Sequence, residues 1–294
     1  MKDQTKALLL GISAVLIWST VATAFKITLR SMDPLTMVFI TSMVSIFSIA
    51  LASLLTGRWK IISRTEKPVM LRSILLGLLN PFVYYMVLFG SYDLLPAQIA
   101  QSINYSWPVI LTVLSILVLR QRARARSIAG ILIGFTGVVI VSTRGFSLVK
   151  GDVDPFGVVL AVGSALIWAV FWTLNLRFKG AVESKLFFNF LGGSLLASVV
   201  LLVKGSRIPE ISGWTAAAYV GIFEMGITFL IWMKALSLSK ETARISMLIY
   251  LSPFVSLIFI ATILGEPILV STIAGLILIV TGLIVQGRPE RKKT

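Results

Sequence analysis

Leu16-Ile17-Trp18, near the start of the chain, returns as Leu166-Ile167-Trp168. Tyr105 and Pro108 return as Tyr250 and Pro253, Ile128-Ala129-Gly130 as Ile273-Ala274-Gly275, and Thr136-Gly137 as Thr281-Gly282. The last three matches share one offset of 145 residues, and the first has an offset of 150. A sequence that repeats itself half its length apart reads as a duplicated unit. Hydrophobic chains built this way place a solute site where the two repeats meet.

Composition sets the solvent. With 57% hydrophobic residues, 13% charged residues and a mean hydropathy of +0.94, the chain reads as an integral membrane protein. Ten apolar runs approach the roughly 20 residues that cross a bilayer as a helix. They lie near 7–27, 34–55, 69–90, 96–119, 127–143, 155–176, 184–203, 213–236, 242–264 and 269–286. The expected fold is all-α, with ten transmembrane helices in two five-helix repeats, 1–146 and 147–294. Five is odd, so the second repeat enters the membrane from the opposite side and the repeats are inverted. Small residues let helices approach closely, so Gly130, Gly134, Gly137, Gly275 and Gly282 are expected to pack spans, within one chain or in a homodimer.

The net charge of +15 does not indicate nucleic acid, because the charges are segregated. With the N-terminus in the cytoplasm, cytoplasmic segments hold 21 of the 27 Lys and Arg and external segments six. The acids show no such bias, as the positive-inside rule allows. The run Arg120–Arg126 and the tail Arg288–Lys293 read as anchors at a bacterial inner membrane, both termini cytoplasmic. Lys2, Lys6 and Ala22-Thr23-Ala24 imitate a secretory signal. The same Leu-Ile-Trp pattern recurs at 166–168, where no signal peptidase acts, so the first segment is expected to stay as a span.

The chain has no Cys and no His. Disulfides, thiol nucleophiles, His-based acid–base catalysis and soft-metal sites are thereby excluded, and no metal or cofactor is expected. No G-x-x-x-x-G-K-[ST] occurs, so direct ATP drive within this chain is not expected.

Polar residues inside spans resist lipid and must face the bundle interior or a wet cavity. In the fourth run, Gln98, Gln101, Tyr105, Pro108, Thr112 and Ser115 follow spacings of three and four and share a helical face. The stripe reads as a cavity wall; the alternative is amides bonded between helices. Pro108 and Pro253 each remove a backbone hydrogen bond at corresponding places, and Asn80-Pro81 interrupts the third run with Tyr84 and Tyr85 beyond it. Paired broken helices point to a binding region. Glu224 is the one carboxylate well inside a predicted span. It is a candidate to bind a substrate ammonium or carry a coupling proton; the alternative is a structural pair with Lys26 or Lys234. Trp18 and Trp168 lie near mid-span, where interfacial anchoring explains them poorly. Trp168 shares a face with Trp172 and Asn175, and Trp18 with Ala22 and Phe25. Aromatic walls suit apolar or cationic guests, and helix packing is the alternative for each.

These motifs resemble the drug/metabolite transporter superfamily in its EamA branch, over essentially the whole chain. The resemblance rests on Ile-Trp in spans one and six, proline in spans four and nine, and Leu264-Gly265-Glu266-Pro267 before the last span. The first half departs from it, with Arg120-Gln121-Arg122 where Gly-Glu would stand, so Glu266 reads as a structural loop residue. Asn104-Tyr105-Ser106-Trp107-Pro108 is similar to a motif of bacterial aromatic amino-acid exporters in that branch. The resemblance implies a transporter rather than an enzyme, exporting small metabolites such as aromatic or apolar amino acids. By that resemblance Tyr105 and Trp107 line a central cavity, with Tyr84, Tyr85 and Trp168 beside them. Gln98, Gln101, Asn80 and Glu224 would supply polar contacts. The rival readings are a proton-coupled exporter of cationic drugs using Glu224, a membrane enzyme or scaffold, and a channel.

Overall fold

Helix starts follow from local chemistry. The Asp33 carboxylate accepts from the backbone N–H groups of Leu35 and Thr36 at 3.0 and 3.1 Å. Pro34 takes the first helical position, where its missing N–H leaves nothing unpaired. Asp154-Pro155 repeats the device, accepting from Phe156 at 2.7 Å and Gly157 at 3.3 Å.

The computed structural model describes residues 2–107, 109–110, 113–114, 125–143, 153–204, 211–239, 245 and 247–287. Among these, every regular element is helical. Helices α1 (Lys2–Ser19) and α2 (Val21–Leu29) form one apolar run; α3 (Pro34–Leu55) follows, then the short α4 (Trp59–Ser63). Helices α5 (Lys67–Gly77) and α6 (Tyr84–Leu94) are joined by a π-helical turn at Leu78–Val83. Next come α7 (Ala97–Asn104), α8 (Ala125–Ser142), α9 (Pro155–Arg177) and α10 (Val182–Lys204). A second π turn, Val220–Glu224, joins α11 (Ile211–Tyr219) to α12 (Ile227–Leu238). A 3₁₀ turn at Met247–Leu251 leads into α13 (Ser252–Phe259), a third π turn (Ile260–Leu264) and α14 (Val270–Gly287).

Among the described residues, six stretches are long and apolar enough to cross a membrane: Asp3–Leu29, Pro34–Leu55, Lys67–Leu94, Pro155–Asn175, Val182–Lys204 and Gly213–Leu238. Ile128–Val141, Leu248–Leu264 and Val270–Val285 are shorter apolar helices. Large apolar side chains face outward, with Leu202 85% and Phe47 67% exposed. That is costly in water and natural in lipid. The expected fourth span begins as α7, then turns at Tyr105 and Ser106. Pro108, Thr112, Ser115, most of the basic run and the tail 288–293 lie outside the described residues. Pro253 stands at the second residue of α13, just after the 3₁₀ turn, so helix type changes at the predicted proline.

Lipid tails are as apolar as leucine, so close van der Waals packing holds spans together. Helices α8 and α14 use glycine for it. A β-carbon on Gly137 would lie 2.5 Å from the Gly275 carbonyl oxygen; one on Gly275 would strike Val141. One on Gly282 would lie 2.5 Å from the Gly130 carbonyl oxygen. These predicted packing glycines are used within the chain. Gly275→Leu is expected to cost about 1–3 kcal/mol or more by overpacking. The readout is thermal unfolding in detergent, where an unchanged midpoint would contradict this contact.

Candidate functional site

Two helix breaks organise the interior. At the first, Asn80 leaves helical geometry (φ −144°, ψ 116°) and the Asn80–Pro81 peptide is cis. Pro81 has no N–H to give the preceding turn. At the second, the π turn ends at Glu224, and Gly226 adopts φ −102°, ψ −96°. Carbonyls freed inside a membrane need partners from neighbouring helices. The Gly221 carbonyl accepts from the Ser45 hydroxyl at 2.9 Å, and the Glu224 carbonyl from the Trp18 indole N–H at 3.4 Å.

The same break presents the Glu224 side chain inward. Its Oε1 accepts from the Tyr85 hydroxyl at 3.2 Å. Neither Lys26 nor Lys234 pairs with it: among the described residues, the ion pair is Arg58–Glu183 at 2.7 Å, next to α10. Trp18, whose indole holds the break, packs on Phe229 and Trp232 at ring-centroid separations of 5.4 and 5.5 Å.

Beside the first break lies a cavity of about 100 Å³. Asn80, Tyr85 and Trp168 line it, with Phe171, Trp172 and Phe229 completing an aromatic wall. Asn175, Lys185 and Asn189 add polar groups towards the turn joining α9 to α10. Such a mixture, mostly apolar with a few placed polar groups, is how small-molecule sites are built. The wall continues behind the surface: the Tyr84 ring lies 4.6 Å from Trp168 and 4.7 Å from Tyr85. Glu224 stands one hydrogen bond behind the cavity wall, through Tyr85.

The remaining sequence candidates lie elsewhere. Tyr105 and Trp107 line a second void of about 10 Å³ with Tyr250 and Pro253. The Tyr105 hydroxyl donates to Ser252 at 3.0 Å, and Ser252 also accepts from Ser19 at 3.3 Å. Gln101 is buried, 4% exposed. Gln98 is tied to the segment before α14. Its amide nitrogen donates to the Pro267 carbonyl at 2.8 Å, and its oxygen accepts from Leu269 N–H at 3.2 Å and Thr272 hydroxyl at 2.9 Å. This corresponds to bonding between helices, the alternative reading of the polar stripe. Glu266 joins the same junction by accepting from the Ala97 and Gln98 N–H groups at 3.0 and 3.4 Å, capping the start of α7. Gln98→Ala would strip partners from buried groups. It is expected to cost about 1–3 kcal/mol, read as a lower unfolding midpoint; an unchanged midpoint would mean the junction carries no stability.

The junction and the cavity's polar end are far apart. The first turn of α9 packs on Leu94 and Leu95, beside the junction, through Gly157. The other end of this 23-residue helix meets Lys185. Sequence reasoning passed over Phe171, Phe229, Lys185 and Asn189. Asn189 had a readable signal, an amide in an apolar run. Phe171 and Phe229 had none, since phenylalanine is ordinary in any span.

The model of the EamA-like transporter family matches residues 5–143 and again 155–287. The chain belongs to the EamA-like transporter family. This EamA-like transporter is therefore a multi-pass membrane protein, and a transporter rather than an enzyme. The uncharacterised transporter YvbV of Bacillus subtilis is 29% identical over 70% of this chain and 68% of its own length. The aromatic amino acid exporter YddG of Ancylobacter novellus is 29% identical over 78% of this chain and 79% of its own. A solved crystal structure superposes with a TM-score of 0.68 over 96% of both chains at 24% identity, a likeness of fold.

Proposed function

We propose that this EamA-like transporter exports small metabolites, in particular aromatic or apolar amino acids, across the cytoplasmic membrane of a bacterium. The observation that carries this reading is the aromatic cavity bordered by Asn80, Tyr85 and Trp168. The kinship with an aromatic amino acid exporter supports it. Ten spans in two inverted repeats, 1–146 and 147–294, would rock about this cavity. The breaks at Asn80-Pro81 and Glu224 fall close to the 145-residue offset of the sequence repeat, as discontinuous helices of inverted-repeat transporters do. With both termini cytoplasmic, Lys185 marks the inner end of the cavity, and the Gln98–Glu266 junction closes the outer end.

The residue roles follow. Trp168 and Tyr85, backed by Tyr84, hold the apolar side chain, with Trp18 behind Phe229. Asn80 gives a polar contact, and Glu224 attracts the substrate ammonium from behind Tyr85. Tyr105, Trp107 and Gln101 line the route beyond the cavity, with Pro81, Pro108 and Pro253 as the flexing points. The test is efflux from cells that accumulate phenylalanine from a fed dipeptide: expression should speed its appearance outside. Unchanged efflux, with protein in the membrane, would reject export of this solute. The second reading, proton-coupled export of cationic drugs, is favoured by one observation. Among the described residues, Glu224 has a hydroxyl and no cation as its side-chain partner. The topology is also testable, because a chain without cysteine accepts single cysteines cleanly. Cysteines at Thr5 and Lys293 should resist impermeant reagents in intact cells; labelling from outside would reverse the orientation.

A further inference from the structure

Lys185 stands in the first turn of α10 and lines the aromatic cavity. Its Nζ lies 3.3 Å from the Asn175 carbonyl oxygen and 3.3 Å from that of Phe178. The Asn175 carbonyl lies in the last turn of α9, where it also accepts from the Phe178 N–H at 3.4 Å, and Phe178 is the capping residue; the helix dipole favours a cation at this end. An ammonium carries three donors, so the two carbonyls leave one N–H and the full charge. Among the described residues no carboxylate forms an ion pair with it. Glu183, two residues away, is held by Arg58 at 2.7 Å. Glu224 accepts from Tyr85. Among the described residues that line the cavity, Lys185 is the one that bears a formal charge. A half-buried ammonium with no paired carboxylate among the described residues, in the lining of an apolar cavity, is complementary to an anionic group on the guest.

We infer that Lys185 binds a carboxylate of the transported solute. The inference rests on the proposed amino-acid reading and deepens it. The carboxylate sits at Lys185, at the end of α9, while Trp168, Phe171 and Trp172 receive the side chain. A carrier built this way accepts aromatic acids, with or without an amino group, and discriminates against the corresponding amines. That preference is the reverse of a cationic-drug exporter's.

Equilibrium binding of three radiolabelled probes to the purified full chain tests it. The probes are phenylalanine, 3-phenylpropionate (which lacks the ammonium) and phenylethylamine (which lacks the carboxylate). The wild type should bind phenylethylamine at least about tenfold more weakly than phenylalanine. Lys185→Met should erase that difference by weakening the two acids alone, and Lys185→Arg should keep it. Because the comparison is between probes on one protein, a general loss of folding cannot imitate it. Unchanged preference in Lys185→Met, an amine bound as tightly as phenylalanine, or no binding of either acid would each overturn the inference. Lys185-dependent binding of 3-phenylpropionate without binding of phenylalanine would leave the carboxylate site standing and remove the amino-acid reading.

Discussion

Glu224→Gln is expected to slow phenylalanine counterflow at least about tenfold. The substitution keeps size and leaves an oxygen to accept from the Tyr85 hydroxyl, so the 3.2 Å contact can persist while the charge is lost. Charge-assisted contacts in a dry site are the strong ones, and an ionisable group within a span is retained at a cost that a function must justify. Tyr85→Phe removes the hydroxyl alone and should slow counterflow only severalfold. Initial rates at several pH values are the readout. A Gln variant that transports normally at every pH would remove both the ammonium role and the proton-coupled reading. Where the Gln variant is slow, an imposed pH gradient separates the two roles: it drives accumulation only in the proton-coupled version.

Trp168→Ala should weaken phenylalanine binding at least about tenfold, with Trp168→Phe intermediate. Trp168 is the hub of the wall, with ring centroids 4.6 Å from Tyr84, 6.1 Å from Phe171, 5.9 Å from Trp172 and 6.3 Å from Phe229. Removing it takes an indole out of the cavity lining and frees the rings that lean on it. Large-to-small changes among packed aromatics cost about 3–5 kcal/mol when fully buried. Trp168 is only partly buried, so the protein should survive the change. Affinity equal to the wild type would mean the guest does not touch this wall.

The helix starts and breaks were legible because they rest on local rules. The runs read from 34 and 155 start where the structure puts the Asp33-Pro34 and Asp154-Pro155 caps, which sequence reasoning did not name, and Pro81 and Pro253 mark changes in helix geometry. Glu224 stood out because acids are scarce in spans, but its position on a π turn depends on how α3 and α1 supply donors through Ser45 and Trp18. Gln98 shows the limit of a stripe argument. A polar side chain in a membrane can face water or bind another helix, and spacing is the same in both cases. Here its partners are Pro267, Leu269 and Thr272, most of the chain away. Lys185 was hidden among the inner-face cations. Only the fold shows it at the end of α9, beside the aromatic rings.

Counterflow in proteoliposomes tests the central claim most directly. Vesicles loaded with unlabelled phenylalanine and diluted into labelled phenylalanine should accumulate label transiently above equilibrium, and Trp168→Ala should abolish the overshoot. Folded protein that gives no overshoot, or an overshoot untouched by Trp168→Ala, would contradict an aromatic amino-acid carrier working through this cavity.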